Sequence, residues 1–330
     1  MDLIEYNVFE RKGSNASSKA KRDVSEILRK EGFRKLYSPS KFRIFRIFQQ
    51  FLSILQLSKD SLIIVQYHSN ISFFYRMLYY RKSIKKVAII HDLESLRGLI
   101  SVKKEICLLN GFDFIISHNP YMTKYLNDNG VQQKIVNLQI FDYLLSFNIE
   151  IKDCFTKDTV FFAGNLVKSH FLKYLSDIND ITFYIYGAEY IGIEELKSQA
   201  NVKYKGSFNP EQLIANIEGG WGLVWDGDSL DTCSGINGEY LKYNNPHKVS
   251  MCIVSERPVI IWSRAAMADF IVNHGLGIAV DSLKDLKTIL SEILPNEYLE
   301  MKENVKKEKK RLINGCSLND VIKKIKISVQ

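Results

Sequence analysis

The sequence predicts an α/β protein made of two successive parallel sheets, each covered by helices. Short runs rich in β-branched and aromatic residues alternate with helical patterns over most of the 330 residues. That is the order expected of parallel strands joined by crossover helices. The alternation restarts after a polar, charged stretch near residues 149–157, and the length suits about two domains of roughly 150 residues each.

The strand candidates of the first half are Leu3–Tyr6, Leu62–Tyr67, Val87–Ile90 and Phe114–Ser117, with helical patterns at Ser17–Lys30 and Arg43–Leu57. In the second half they are Thr159–Ala163, Ile181–Tyr186, Val202–Lys205, Trp221–Trp225, Pro258–Trp262 and Gly277–Val280. Asn209-Pro210 and Asn245-Pro246 each read as an N-cap followed by proline at the first helical position. Two βα series of this kind predict two Rossmann-like domains, residues 1–155 and 156–300. A helical segment at 301–330 is able to cross back to the first domain. Its lysine-rich stretch, Lys302–Arg311, reads as a solvated helix face, with an acidic-partner site as the minority alternative.

Apolar residues make up 46% of the chain, aromatic ones 12% and charged ones 25%, a composition that excludes disordered and fibrous classes. The 45 basic against 37 acidic side chains give a net charge of +8. That excess suits anionic substrates, anionic lipid or nucleic acid without choosing among them. No apolar run approaches the ~18–20 residues of a membrane span, and Met1–Glu10 carries acids and no cleavage site, so no secretory signal is expected. Cys107, Cys154, Cys233, Cys252 and Cys316 are odd in number and scattered. This predicts a reducing, cytoplasmic setting and supports neither a disulfide framework nor a zinc knuckle. A peripheral contact at the inner face of the membrane stays open.

The first strand runs into Lys12-Gly13-Ser14-Asn15-Ala16-Ser17-Ser18-Lys19 and then a helix. Small residues and free N–H groups there suit an anion or sugar hydroxyls, and an ordinary capped βα turn is an equal alternative. The run matches neither a dinucleotide fingerprint nor a P-loop. Three histidines, His68, His91 and His118, each follow a strand candidate, where open α/β sheets bind ligands. His91-Asp92 is the best placed for acid–base work. Each histidine alone reads more simply as a loop residue, but three at equivalent strand ends favour function. No spacing among them suits a metal. Lys41–Leu57 carries Ile44, Phe45, Ile47, Phe48, Phe51, Leu52 and Leu55 at helical spacing. The stripe reads as core packing, with a membrane-surface helix as the alternative.

In the second half, Trp221–Trp225 ends at Asp226 and opens a long polar stretch that extends to Tyr240. A loop of that kind inside a compact domain is usually functional. Asn245-Pro246-His247-Lys248 then starts a helix whose N-terminal donors and early lysine suit a diphosphate. Asn165 follows a strand-to-glycine turn with Lys168 close behind, and Tyr186-Gly187 makes another such turn. Two lysines on one rim would neutralise a diphosphate leaving group. Asp226-Gly227-Asp228 has the form of a metal-binding Asp-x-Asp, but its place late in a second βα series argues against that use.

Several segments then carry a resemblance. Asn245 through His247-Lys248 to Arg257-Pro258-Val259-Ile260, with Phe270-Ile271, Gly275 and Gly277-Ile278, resembles the donor domain of GT-B glycosyltransferases. Gly222–Asp226, Cys233-Ser234-Gly235, Gly238-Glu239-Tyr240-Leu241 and Asn245-Pro246-His247-Lys248 more closely resemble two related groups: bacterial galactofuranosyltransferases, and the glucosyltransferases that extend N-acetylglucosamine on serine-rich-repeat adhesins. Asn15 to Ala20 is similar to the opening loop of the first group. The resemblance implies two facing Rossmann-like domains, an acceptor-side one first and a nucleotide-sugar-binding one second. It also implies a UDP-sugar as donor substrate, no cofactor or metal requirement, and a homo-oligomer. By position it places Lys168 and Lys248 on the diphosphate and Asn165 and Tyr186 near the nucleotide, with Asp226, Asn245 and His247 in the same site. Ser17, Ser18, Lys19, His68 and His118 are left for the acceptor side, and His91 with Asp92 for catalysis. The paired glutamates of many retaining relatives are missing: His247 stands near the place of the first and Ser255 at the spacing of the second.

The expected function is therefore metal-independent transfer of a hexose from a UDP-sugar to a glycan, lipid-linked glycan or glycoprotein acceptor, in cell-surface polysaccharide or adhesin synthesis. The alternative is a non-catalytic GT-B relative serving as an assembly or glycan-binding subunit. Nucleic-acid binding ranks last, because only the net charge supports it.

Overall fold

A computed structural model describes residues 1–6, 16–36, 43–68, 72–146, 149–151 and 156–329. It divides into two compact units. One runs to Ile140 and takes up Ser317 onward; the other runs from Phe141 to Cys316.

The first unit contains β1 (Asp2–Tyr6), α1 (Ala16–Lys30), β2 (Arg34–Lys35), α2 (Arg43–Leu55), β3 (Ser61–Gln66), α3 (Ser72–Tyr79), β4 (Lys85–Ile89), α4 (Val102–Leu109), β5 (Phe114–Ser117), α5 (Pro120–Asp128) and β6 (Lys134–Asn137). All its strand pairs are parallel, in the order β2-β1-β3-β4-β5-β6. Every side chain of β3 is buried, as parallel strands covered on both faces require. The order reverses between β1 and β3, which makes that junction the topological switch point of the sheet, the place where open sheets of this class bind ligands.

The second unit contains β7 (Thr159–Ala163), β8 (Thr182–Tyr186), α6 (Ile193–Lys197), β9 (Val202–Gly206), α7 (Pro210–Asn216), β10 (Trp221–Val224), α8 (Gly235–Tyr240), α9 (His247–Val254), β11 (Val259–Trp262), α10 (Ala268–Asn273), β12 (Gly277–Val280), α11 (Leu286–Glu292) and α12 (Pro295–Ile313). Its sheet is also parallel, ordered β12-β11-β10-β7-β8-β9. This is the doubly wound dinucleotide-fold order, with its switch point between β7 and β10. Trp221, Trp225 and Trp262 lie in its core. The last helix, α13 (Cys316–Val329), belongs to the first unit. There Lys326 pairs with Glu31 at 3.2 Å and Lys134 donates to Ser328 at 3.1 Å.

Three expectations need correction. The apolar stripe of α2 is not core: Phe48 is 59% exposed and Leu55 53%, and Phe45, Ile47, Phe51 and Leu52 are exposed with them. Among the described side chains of α2, Gln50 and Ile54 are the buried ones, Gln50 donating to the Tyr6 hydroxyl at 2.7 Å, and the side chain of Ile44 lies outside the described residues. The polar stretch after β10 is ordered, with Leu230 and Cys233 buried and α8 occupying its second half. Asn209 caps α7 as expected, accepting from Gln212 N–H. In α9, however, the cap is Pro246 and the helix begins one residue later, at His247. Among the described residues no helix is long and apolar enough to cross a membrane, and the four described cysteines are free.

Candidate active site

In the second unit the loops after β7 and β10 form one rim at the switch point. The Phe171 N–H donates to the Gly227 carbonyl at 3.1 Å, and His170 Nδ1 meets Asp228 Oδ1 at 2.9 Å. Gly227 has φ +111°, and a Cβ there would sit 2.4 Å from the Ser234 oxygen. Glycine is therefore required for the chain to double back on itself. Gly187 is similarly constrained: its Cβ would lie 2.6 Å from the Gly164 oxygen, so the turns after β7 and β8 touch backbone to backbone.

Lys248 lies across this rim from the first turn of α9. Its Nζ is 2.7 Å from Asp226 Oδ1 and 3.3 Å from the Trp225 carbonyl, and stands 4.5 Å over the Phe162 ring. Its Cε runs so close to Gly164 that a Cβ there would approach to 3.1 Å. Asn165 and Lys168 are exposed on the adjoining turn, where Asn165 Oδ1 accepts the Val167 N–H at 3.1 Å. The rim thus holds Lys248 at the start of α9, and both an early helical turn and a lysine attract phosphate. The two carboxylates of Asp226-Gly227-Asp228 go separate ways, one to Lys248 and the other to His170. Among the described residues no group of His, Cys, Asp and Glu is arranged to hold a metal ion.

Other expected residues are committed within the fold. The Tyr186 hydroxyl donates to the Asn216 carbonyl at 3.0 Å and accepts from Glu218 N–H at 2.8 Å, with the ring buried. Asn245 is buried just before α9. His247 stacks on Tyr143 with 5.1 Å between ring centroids and neighbours Phe141 at 6.1 Å. Phe141 is itself tied to α9, since the Ser250 hydroxyl donates to its carbonyl at 2.6 Å. Sequence reading missed these two aromatics because they lie in a stretch without strand or helix pattern.

In the first unit, Lys12 to Asn15 and the side chain of Ser17 lie outside the described residues. Ser18 is half-buried on α1, and Lys19 is buried in an ion pair with Asp23 at 2.6 Å. Beyond β3, His68 Nε2 lies 3.4 Å from Glu94. Burial lowers the His68 pKa, partly offset by the Glu94 carboxylate. Burial also lowers the Lys21 pKa, against the pull of Asp92 and Glu94. Just past β4, His91 Nε2 is 2.8 Å from Gln66 Oε1, and Asp92 pairs with Arg97 at 3.0 Å. The Glu94 and Ser95 N–H groups both donate to the buried Glu105 carboxylate at 3.0 Å, which fixes this loop on α4.

His118 is a core residue rather than an acceptor contact. It is 1% exposed and Nε2–H donates to the Ile90 carbonyl at 3.1 Å. Burial pushes its pKa down to about 4, whereas the unfolded chain binds a proton near 6.5. Its contribution to stability is therefore complete above about pH 6.5 and declines as pH falls toward 4. The loss amounts to roughly 3 kcal/mol. Urea unfolding across that range should show a shallower pH dependence in His118→Gln; parallel curves for the two proteins would contradict this.

Comparison with known proteins agrees with the two-unit fold. The N-terminal domain model of the glucosyltransferase 3-like proteins matches residues 4–140 and the C-terminal domain model residues 160–325. The chain is 40% identical over 263 residues to the beta-1,6-galactofuranosyltransferase WbbI of Escherichia coli (strain K12), covering 77% of this chain and 74% of that one. It is 28% identical to glucosyltransferase 3 of Streptococcus gordonii, over 68% of this chain and 65% of that one. Among solved structures, an alpha,alpha-trehalose-phosphate synthase (UDP-forming) from Burkholderia vietnamiensis superposes with a TM-score of 0.64 at 11% identity, over 99% of both chains. Both parts of one family's architecture are thus present in sequence order, and the chain belongs to the glucosyltransferase 3-like family of glycosyltransferases, with the GT-B fold.

Proposed function

We propose that this protein transfers a hexosyl group from a UDP-sugar to a sugar hydroxyl, on a glycan, lipid-linked glycan or glycoprotein made for the cell surface. The observation that supports the donor half is Lys248, which reaches from the start of α9 across the rim at the β7/β10 switch point; in this reading Lys168, exposed on the turn after β7, joins it on the diphosphate. As the bond from the anomeric carbon to the diphosphate breaks, UDP leaves with the electron pair. The lysines and the helix terminus meet the charge that develops. On the acceptor side, His91 takes the proton of the attacking hydroxyl, and the new glycosidic bond forms from that oxygen.

Thermal unfolding with a panel of nucleotides tests the donor half. UDP should raise the melting temperature, since a ligand at a hundred times its Kd adds about 2.7 kcal/mol to the native state. Transfer should persist in EDTA, because side-chain cations serve the diphosphate. Activity abolished by EDTA and restored by manganese would overturn the metal-independent mechanism. No stabilisation and no UDP release from any UDP-sugar would favour the assembly-subunit alternative.

A further inference from the structure

Four polar groups behind His91 form a chain that the proposed reaction does not itself require. Glu5 on β1 is 3% exposed and Gln66, the last residue of β3, is 2% exposed. Gln66 Nε2 is surrounded by oxygens: Glu5 Oε1 at 2.7 Å, Ser25 Oγ at 2.9 Å and the Lys21 carbonyl at 3.1 Å. The Ser25 hydroxyl in turn donates to the same Glu5 oxygen. A flipped amide would set its own oxygen against the Lys21 carbonyl, which has no proton to donate. Its orientation is therefore forced, with Nε2 toward Glu5 and Oε1 toward His91.

That orientation has a chemical consequence at the imidazole. Gln66 Oε1 can only accept, so the ring nitrogen 2.8 Å from it, Nε2, must carry a proton. In the neutral ring the lone pair then resides on Nδ1. We infer that Gln66, itself held by Glu5, is the positioning residue that makes His91 a base at Nδ1. The inference rests on the proposed role of His91 in taking the acceptor proton. It adds which nitrogen does so and what fixes the ring.

The tautomer can be read without any substrate, by nitrogen NMR of the ¹⁵N-histidine-labelled enzyme, with His91→Gln to assign the signal. Above its pKa, wild-type His91 should show a protonated Nε2 and an unprotonated Nδ1. Gln66→Met removes the acceptor at similar length. It should give a mixture of tautomers and lower kcat by about tenfold or more, with UDP affinity unchanged. A protonated Nδ1 in the wild type would overturn the inference, and so would a Gln66→Met enzyme that keeps its kcat. If that variant does not fold, Gln66→Glu, which keeps an oxygen acceptor at the same length, should retain the protonated Nε2, and loss of that tautomer there would overturn the inference. Normal turnover in His91→Ala would instead remove the base assignment, leaving the tautomer as a separate result.

Discussion

Replacing His91 with alanine is expected to lower the rate of sugar transfer by ~10²–10⁴, the usual share of a general base, while UDP affinity stays nearly unchanged. His91 is chosen over its neighbour because the two have different surroundings. Asp92 is tied to Arg97 at 3.0 Å, whereas the His91 ring is steadied by a neutral amide that accepts a hydrogen bond and takes up no proton. Asp92→Asn should accordingly cost less than His91→Ala. The anomeric configuration of the product belongs to the same experiment. Inversion requires a base, and retention lets the departing phosphate take the proton. Near-normal rates in His91→Ala together with a retained configuration would reject the assignment.

The second large effect is expected at the opposite charge. Lys248→Ala should weaken UDP binding by roughly 1.5–3 kcal/mol, the scale of a charge-assisted hydrogen bond. The side chain is confined by the Phe162 ring, the Trp225 carbonyl and Gly164, so its ammonium is held at the rim before any ligand arrives. Asp226 supplies the counter-charge. Gly164→Ala should weaken binding in the same direction, because the added methyl presses on the lysine stem. Calorimetry with UDP measures both, and an unchanged affinity in Lys248→Ala would remove that residue from the site.

The sheets were legible in the sequence because parallel strands buried on both faces become short continuous apolar runs. Ser61–Gln66 and Val259–Trp262 are wholly buried. The missed strands are the edges: Arg34–Lys35 is exposed and Lys134–Asn137 is partly so, and a solvated edge carries no hydrophobic signal. Helical spacing located α2 but could not say what covers its apolar face, since periodicity records that a face is apolar and nothing about its neighbour. Among candidate site residues, those next to strand ends could be named, whereas Glu5 and Gln66 could not. Each reads as one polar residue in a strand, and only the register of β1 against β3 and β4 brings them together behind His91. His118 shows the converse, a strand-end histidine that the fold turns inward.

The membership of α13 in the first unit sets an order of events during synthesis. The chain leaves that unit at Ile140 and re-enters it only at Ser317. The contacts of Glu31 and Lys134 with the last helix therefore wait until the whole second unit has been translated. At ~5–20 residues per second, that delay is on the order of ten to thirty-five seconds. At its end the second unit is a complete stretch of chain, while the first still lacks a helix. The earlier-made unit is thus the later one to be finished, and a ribosome stalled before Ser317 would carry a complete second unit and a first unit still short of its last helix.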